Sequence, residues 1–212
     1  MCAPATKWIV FDRDWVYDVT VAMKEKKRST LIRIGHRLFS QYGYRDVNID
    51  DVAKAAGIST GSFYSYFSGK EDFYGAVLDT IENEGAKRLE KIISNLRSPI
   101  NKLRVTYRFV TLGVRHNPML RGVLANDERY IFPGTEERRS RGNDIRSRVK
   151  SILVEILREG TAKGLFRSGI YRNPQFLLTA LYDVILYHID SPHFNELLED
   201  ILVLLGRGLR RQ

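Results

Sequence analysis

Apolar positions along this chain recur at intervals of three and four, the rhythm of helices that bury one face. Leu31, Ile32, Ile34, Leu38 and Phe39 mark a first helix over residues 28–42, closed by Gly43. A second helix follows, with Asn48 as its cap, Asp51 placed for a capping-box-like start, and Val52, Ala53 and Ala56 as a small apolar face; Gly57 ends it. Ser59 caps a short third helix in which Phe63 and Phe67, four apart, are the buried anchors. Beyond Lys70 a long helix runs through Phe73, Val77, Leu78 and Ile81 towards Leu89, Ile92 and Ile93, and stops before Ser98-Pro99. Pro99 opens the next, with Leu103, Tyr107, Val110, Thr111 and Val114 along one side. A short helical piece over residues 119–130 leads into a predicted loop over 131–142, then an amphipathic helix over 143–163. Residues 174–187 are apolar nearly all round and must be covered on more than one side; a last helix over 194–209 packs on the same core. The expected fold is all-α, with an N-terminal three-helix, helix-turn-helix head and a C-terminal helical domain.

Residues 48–70 carry the chemistry. With Phe63 and Phe67 buried, Ser59, Thr60, Ser62, Tyr64 and Tyr66 are left for the other side of the third helix, and Lys70 stands just beyond. A short helix with such an outer face suits hydrogen bonding to phosphates and base edges in a major groove. Gly43-Tyr44, Val52-Ala53, Ala56-Gly57-Ile58-Ser59, Gly61-Ser62-Phe63-Tyr64, Tyr66-Phe67 and Lys70-Glu71 resemble the DNA-binding signature of TetR-family transcriptional regulators, over about residues 28–78. Two positions depart from the family pattern. Asn48 stands where threonine is usual, but it caps equally well. Gly35-His36 stands where two small residues are common, which puts a glycine inside the first helix at a cost of about 1 kcal/mol relative to alanine and loosens it.

The resemblance implies a homodimer on a palindromic double-stranded DNA operator, the third helix as recognition helix, and a separate helical domain whose small-molecule effector releases the DNA. It places residues 23–70 in the DNA-binding domain and 71–212 in the ligand-binding and dimerisation domain. Arg28, Tyr64, Tyr66 and Lys70 are expected to position the head on phosphate, with Thr60, Gly61 and Ser62 as the better candidates for base contact; the capping residues Asn48 and Ser59 complete the expected DNA-binding set. In the family the last two long body helices form a four-helix dimer interface. The helices over 143–163 and 174–187, joined through Gly160-Thr-Ala-Lys-Gly164-Leu-Phe166, are the expected pair.

Composition changes this picture in three places. No apolar run approaches the roughly 20 residues needed to span a bilayer. One cysteine, Cys2, excludes an intramolecular disulfide and a cysteine-based zinc site, so the cytosol is the natural compartment. The net charge of +9 is not mainly a DNA footprint, because residues 85–212 hold 23 basic against 13 acidic groups. Arg138, Arg139, Arg141, Arg146 and Arg148 contribute to that excess, and a solvated face is favoured over an anion-binding surface. Residues 1–22, with Trp8, Ile9, Phe11, Trp15, Val16 and Tyr17, precede the point where the family domain begins; Met23 reads as a natural start. An extension that is disordered or not native is expected there, against a competing extra strand or helix packed on the body.

Catalysis finds no constellation. His36, His116, His188 and His193 lack His-Glu-x-x-His spacing, Gly69-Lys70 lacks the first glycine of a phosphate loop, and no metal or cofactor is expected. The alternatives to a ligand-released repressor are an activator and a helical enzyme; the enzyme would turn over a substrate without any ligand-triggered change in DNA affinity. An effector pocket is expected between the linking helix and the next body helices, apolar with a few polar groups. Arg104, Tyr107, Arg108, His116, Tyr130 and Tyr182 are its candidates, and the basic body permits an anionic, partly apolar ligand such as an acyl compound.

Overall fold

The computed structural model describes residues 13–140, 145–169 and 174–209, and among these the regular elements are ten helices. Helix α1 (Arg13–Asp46) bends at Gly43; α2 (Ile49–Ala55) and α3 (Thr60–Phe63) complete the head. Helix α4 (Lys70–Ser94) packs along α1 and runs into the body, which comprises α5 (Pro99–Arg115), α6 (Pro118–Ala125), α7 (Thr135–Ser140), α8 (Ile145–Ala162), α9 (Gln175–His188) and α10 (Phe194–Leu209). Helix α5 is the hub of the body, in contact with α4, α6, α8, α9 and α10. Its start is fixed as the sequence implies: Ser98 accepts a hydrogen bond from the Asn101 amide at 3.4 Å, and Pro99 occupies the first turn, where no amide hydrogen is needed.

Several boundaries differ from those read off the sequence. Helix α1 starts 15 residues before Arg28 and passes Met23 without a break, while residues 1–12 lie outside the described residues. Asn48 stands at the cap of α2 but its side chain makes no capping hydrogen bond. The predicted third helix shrinks to Thr60–Phe63, because Tyr66 and Phe67 both donate their amides to the Phe63 carbonyl and tighten the chain into a turn. The expected loop over 131–142 contains α7, held where Phe132 donates its amide to Thr135 Oγ1 at 3.0 Å and buries its ring. Helix α8 turns Val149, Ile152, Leu153, Ile156 and Leu157 inwards against α5 and leaves Lys150, Glu155 and Arg158 outside. That charged outer face suits solvent better than a dimer seam. The last two helices are α9 and α10, and they leave Tyr187, Val203 and Leu204 exposed.

The head and the start of α4 share an aromatic core of Phe39, Phe63, Phe67, Phe73 and Tyr74, all buried. Gly35, which helix propensity alone counts as a weakness, faces this core. A Cβ there would collide with the Phe73 ring and lie 2.9 Å from Val77 Cγ2. Gly35→Ala is therefore expected to destabilise, since overpacking of about 1–3 kcal/mol outweighs a propensity gain of about 1 kcal/mol. Thermal unfolding checks the sign: Tm should fall by a few degrees, whereas a rise would mean that Phe73 repacks freely.

Candidate DNA-binding head and ligand cavity

The outer surface of the head is built by short-range hydrogen bonds. Ser59 Oγ accepts from the Ser62 amide at 3.1 Å and lies 2.9 Å from Ser62 Oγ, so the sequence-predicted cap of α3 forms. Thr60 donates its hydroxyl to Asp50 Oδ1 at 2.7 Å, which ties α3 to the first turn of α2. Its oxygen can still accept, but its proton is committed within the protein. Phe63 lies edge-on to Phe73, with ring centroids 5.2 Å apart, and anchors α3 from below. Asn48, Ser59, Gly61, Ser62 and Tyr64 are exposed, with Tyr64 54% accessible, while Thr60 and Tyr66 are half-buried.

The two basic candidates are both held by the fold. The Arg28 guanidinium lies 5.0 Å from the centroid of the buried Phe67 ring, which fixes α1 against the turn after α3. Lys70 donates to the Arg45 carbonyl at 2.9 Å and sits over the Tyr44 ring at 4.7 Å. Burial lowers the pKa of its ammonium from the usual lysine value, with the nearby Asp46 charge working the other way. One of its three N–H groups is thus used inside the protein, just past the bend at Gly43.

In the body, a cavity of about 710 Å³ opens between α1, α4, α5 and α8. Ile32, Ile81, Val110, Val114, Val149 and Ile152 form much of its apolar wall, and His36, Glu82, Asn117 and Arg148 supply polar groups. Asn117 Nδ2 lies 3.2 Å from His36 Nε2, and burial lowers the pKa of this imidazole against the opposing Glu84 charge. Glu82 is buried, with Arg148 Nε 3.6 Å from its Oε2.

None of the six ligand candidates read from the sequence lines this cavity. Tyr107 is buried and donates to the Leu177 carbonyl; burial pushes its phenol far above the usual tyrosine value. Tyr130 is buried and donates to the Ser40 carbonyl at 3.2 Å, Arg108 is paired with Glu199, and exposed His116 lies 2.8 Å from the Leu112 carbonyl oxygen. Arg104 lines a separate hollow of about 160 Å³ beside α10, and Tyr182 stacks under Arg146. Of the arginines assigned to a solvated face, Arg146 instead donates to the Leu124 carbonyl at 2.8 Å, and Arg148 turns into the cavity. The side chains of Arg138 and Arg139, and all of Arg141, lie outside the described residues. Sequence reading missed Glu82, although it shares a helical stripe with buried Leu78 and Leu89, and a carboxylate on such a stripe is itself a signal.

These features define an all-α protein with a helix-turn-helix head and a cavity-bearing helical domain. Residues 31–77 match the family described as bacterial regulatory proteins, tetR family. Over this segment the chain resembles TetR-family regulators, and curated relatives that it matches are transcriptional regulators. Among curated relatives, it is 31% identical to the transcriptional regulator AcuR of Cereibacter sphaeroides over 46% of this chain and 45% of AcuR, about half the length of that relative. It is 26% identical to the transcriptional repressor KstR2 of Mycolicibacterium smegmatis over 71% of this chain and 73% of KstR2. Among solved structures, the transcriptional regulator FadR of Bacillus subtilis, in complex with stearoyl-CoA, shares the fold with a TM-score of 0.69 and 20% identity, over 85% of this chain and 98% of FadR. No helix among the described residues is long and apolar enough to cross a membrane, and none of their His, Cys, Asp and Glu side chains group in threes as a metal site.

Proposed function

We propose that this regulator is a repressor that binds a palindromic operator as a homodimer and is released when a small molecule fills the cavity between α1, α4, α5 and α8. The observation that carries this reading is the shared wall: Ile32 and His36 of α1 line the same space as Ile81 and Glu82 of α4 and Val149 of α8. A ligand seated there touches the helix on which the head is built, so it favours one placement of the head over another through direct contact. The name of KstR2 as a repressor supports repression, and the stearoyl-CoA bound to FadR supports a ligand with an apolar chain.

On the DNA side, exposed Tyr64 contacts backbone, as do half-buried Arg28, Tyr66 and Lys70, while Gly61, Ser62 and the acceptor side of Thr60 face base edges; exposed Asn48 and Ser59 complete the DNA-binding set. Exposed Tyr187, Val203 and Leu204 support dimerisation through α9 and α10. Residues 23–70 act as the DNA-binding unit and 71–212 as the ligand and dimer unit.

Selection of binding sites from random duplex DNA tests the reading. Two half-sites related by two-fold symmetry, with centres about 34 Å apart or slightly more, are expected, bound by a species that sediments as a dimer. Asymmetric sites or a monomer on DNA would overturn the homodimer. On the selected operator, Lys70→Ala should weaken binding about equally on all sequences and reduce the salt slope by about one unit. An unchanged slope would confine Lys70 to its bond with the Arg45 carbonyl.

A further inference from the structure

Two helices of the large cavity each lack a side chain in the row that faces it. On α4, Ile81 and Leu89 line the cavity, and Gly85, which also lines it, lies one turn from each. On α5, Phe109 lines the cavity one turn before Gly113, and Asn117 lines it one turn after, just past the helix end. Residues four apart project from the same face of a helix, so a side chain at Gly85 or Gly113 would point where its neighbours point. A Cβ placed at either glycine meets no atom within 4 Å. Gly85 is half-buried and Gly113 exposed, so the open space reaches the mouth of the cavity.

Neither backbone nor packing asks for glycine at these two positions. Both lie inside helices, where glycine is among the poorest residues, and neither has a positive φ. At Gly35, Gly122 and Gly160 a Cβ would run into the rings of Phe73, Tyr130 and Phe166, so close packing explains those glycines. At Gly85 and Gly113 it would enter the cavity instead. What this pair provides is room, and the flanking Ile81, Leu89 and Phe109 make that room apolar. An alkyl chain is the thinnest apolar body and passes along a wall that carries a side chain at every turn. A ring or cage is broader and needs a place where side chains are missing.

We propose that Gly85 and Gly113 are the specificity-determining residues of this cavity: they admit the broadest part of the effector, an apolar ring or cage, against α4 and α5. This inference rests on the reading of the cavity as the effector seat. Its volume of about 710 Å³ is within the usual range of small-molecule sites and leaves space for such a body.

1-Adamantanol and 1-decanol are the probes, since they share carbon count and a single hydroxyl and differ in breadth. Binding to the full chain is followed by calorimetry, and affinity for the selected operator is followed separately. The unaltered protein should bind both probes. Gly85→Leu and Gly113→Leu should each weaken 1-adamantanol by about tenfold or more and 1-decanol by less than about threefold. Gly85→Ala and Gly113→Ala add only the Cβ, and each should raise Tm by about 2–4 °C, because helix propensity improves and nothing is struck. Failure of the unaltered protein to bind 1-adamantanol, an equal loss of both probes in the leucine variants, or a fall in Tm for the alanine variants would overturn the proposal. Loss of 1-adamantanol in the expected ratio, with operator affinity unmoved by the probe, would support the role of the glycines and remove effector release. Release of the operator by 1-adamantanol that survives both leucine substitutions would keep the effector seat and overturn the role of the glycines.

Discussion

Phe73→Ala should remove about 3–5 kcal/mol of stability and abolish DNA binding with it. Phe73 is fully buried at the start of α4, and its ring centroid lies 4.8 Å from that of Phe67, 5.2 Å from Phe63 and 5.5 Å from Phe39. It touches α1, α3 and the turn that follows α3, so one truncation leaves a cavity shared by α1, α3 and α4. The aromatic contacts add to the area lost, at about 0.5–1.5 kcal/mol each, and cannot be remade by a methyl group. Gly35 offers no side chain to collapse into the gap, since its missing Cβ is what lets the ring approach α1. Phe73→Leu, which keeps most of the volume, should cost less than half as much. Urea unfolding followed by circular dichroism measures both, and a loss below about 1 kcal/mol for alanine would show that the aromatic cluster does not hold the head together.

The same cluster shows how far the sequence carried. Phe63 and Phe67 at helical spacing, Ser59 as a cap and Gly57 as a terminator were legible because each acts within one or two turns of its own backbone, and the structure places both rings in the core. Contacts between elements were not. Nothing in local spacing says that Thr60 reaches back to Asp50, that Lys70 reaches Arg45, or that Gly35 is needed by Phe73, because each depends on how two helices cross. The cavity was illegible for the same reason. Tyr107 lies on α5 beside it and Tyr130 in the turn between α6 and α7, yet their hydroxyls donate to the Leu177 and Ser40 carbonyls, whereas Arg148, which composition assigned to solvent, faces Glu82.

Gly43→Ala should cost about 3 kcal/mol or more, from two effects that do not share a remedy. Gly43 has φ 79° and ψ −179°, a region open essentially to glycine alone, where any other residue is strained by about 1–3 kcal/mol. An added Cβ would also lie 2.5 Å from the Arg129 carbonyl oxygen, which is backbone and cannot rotate away. That carbonyl accepts the Tyr44 amide at 2.6 Å, so the substitution would push apart the contact that joins the end of α1 to the segment between α6 and α7. Around it, Tyr74 donates to the Tyr130 carbonyl at 2.9 Å, and the Tyr44 ring packs on Tyr74 and Phe132, with centroids 5.1 and 5.7 Å away. The bend at Gly43 is therefore where the body grips the head, and Lys70 binds the Arg45 carbonyl just two residues on. Two measurements separate local strain from loss of that grip. Unfolding free energy should fall for Gly43→Ala in any state, but if the joint carries the ligand signal, the change in operator affinity on adding ligand should also shrink in the fraction that remains folded. A folded Gly43→Ala protein with its full ligand response would leave the joint a structural element only, and would move the coupling to the α1 and α4 walls of the cavity.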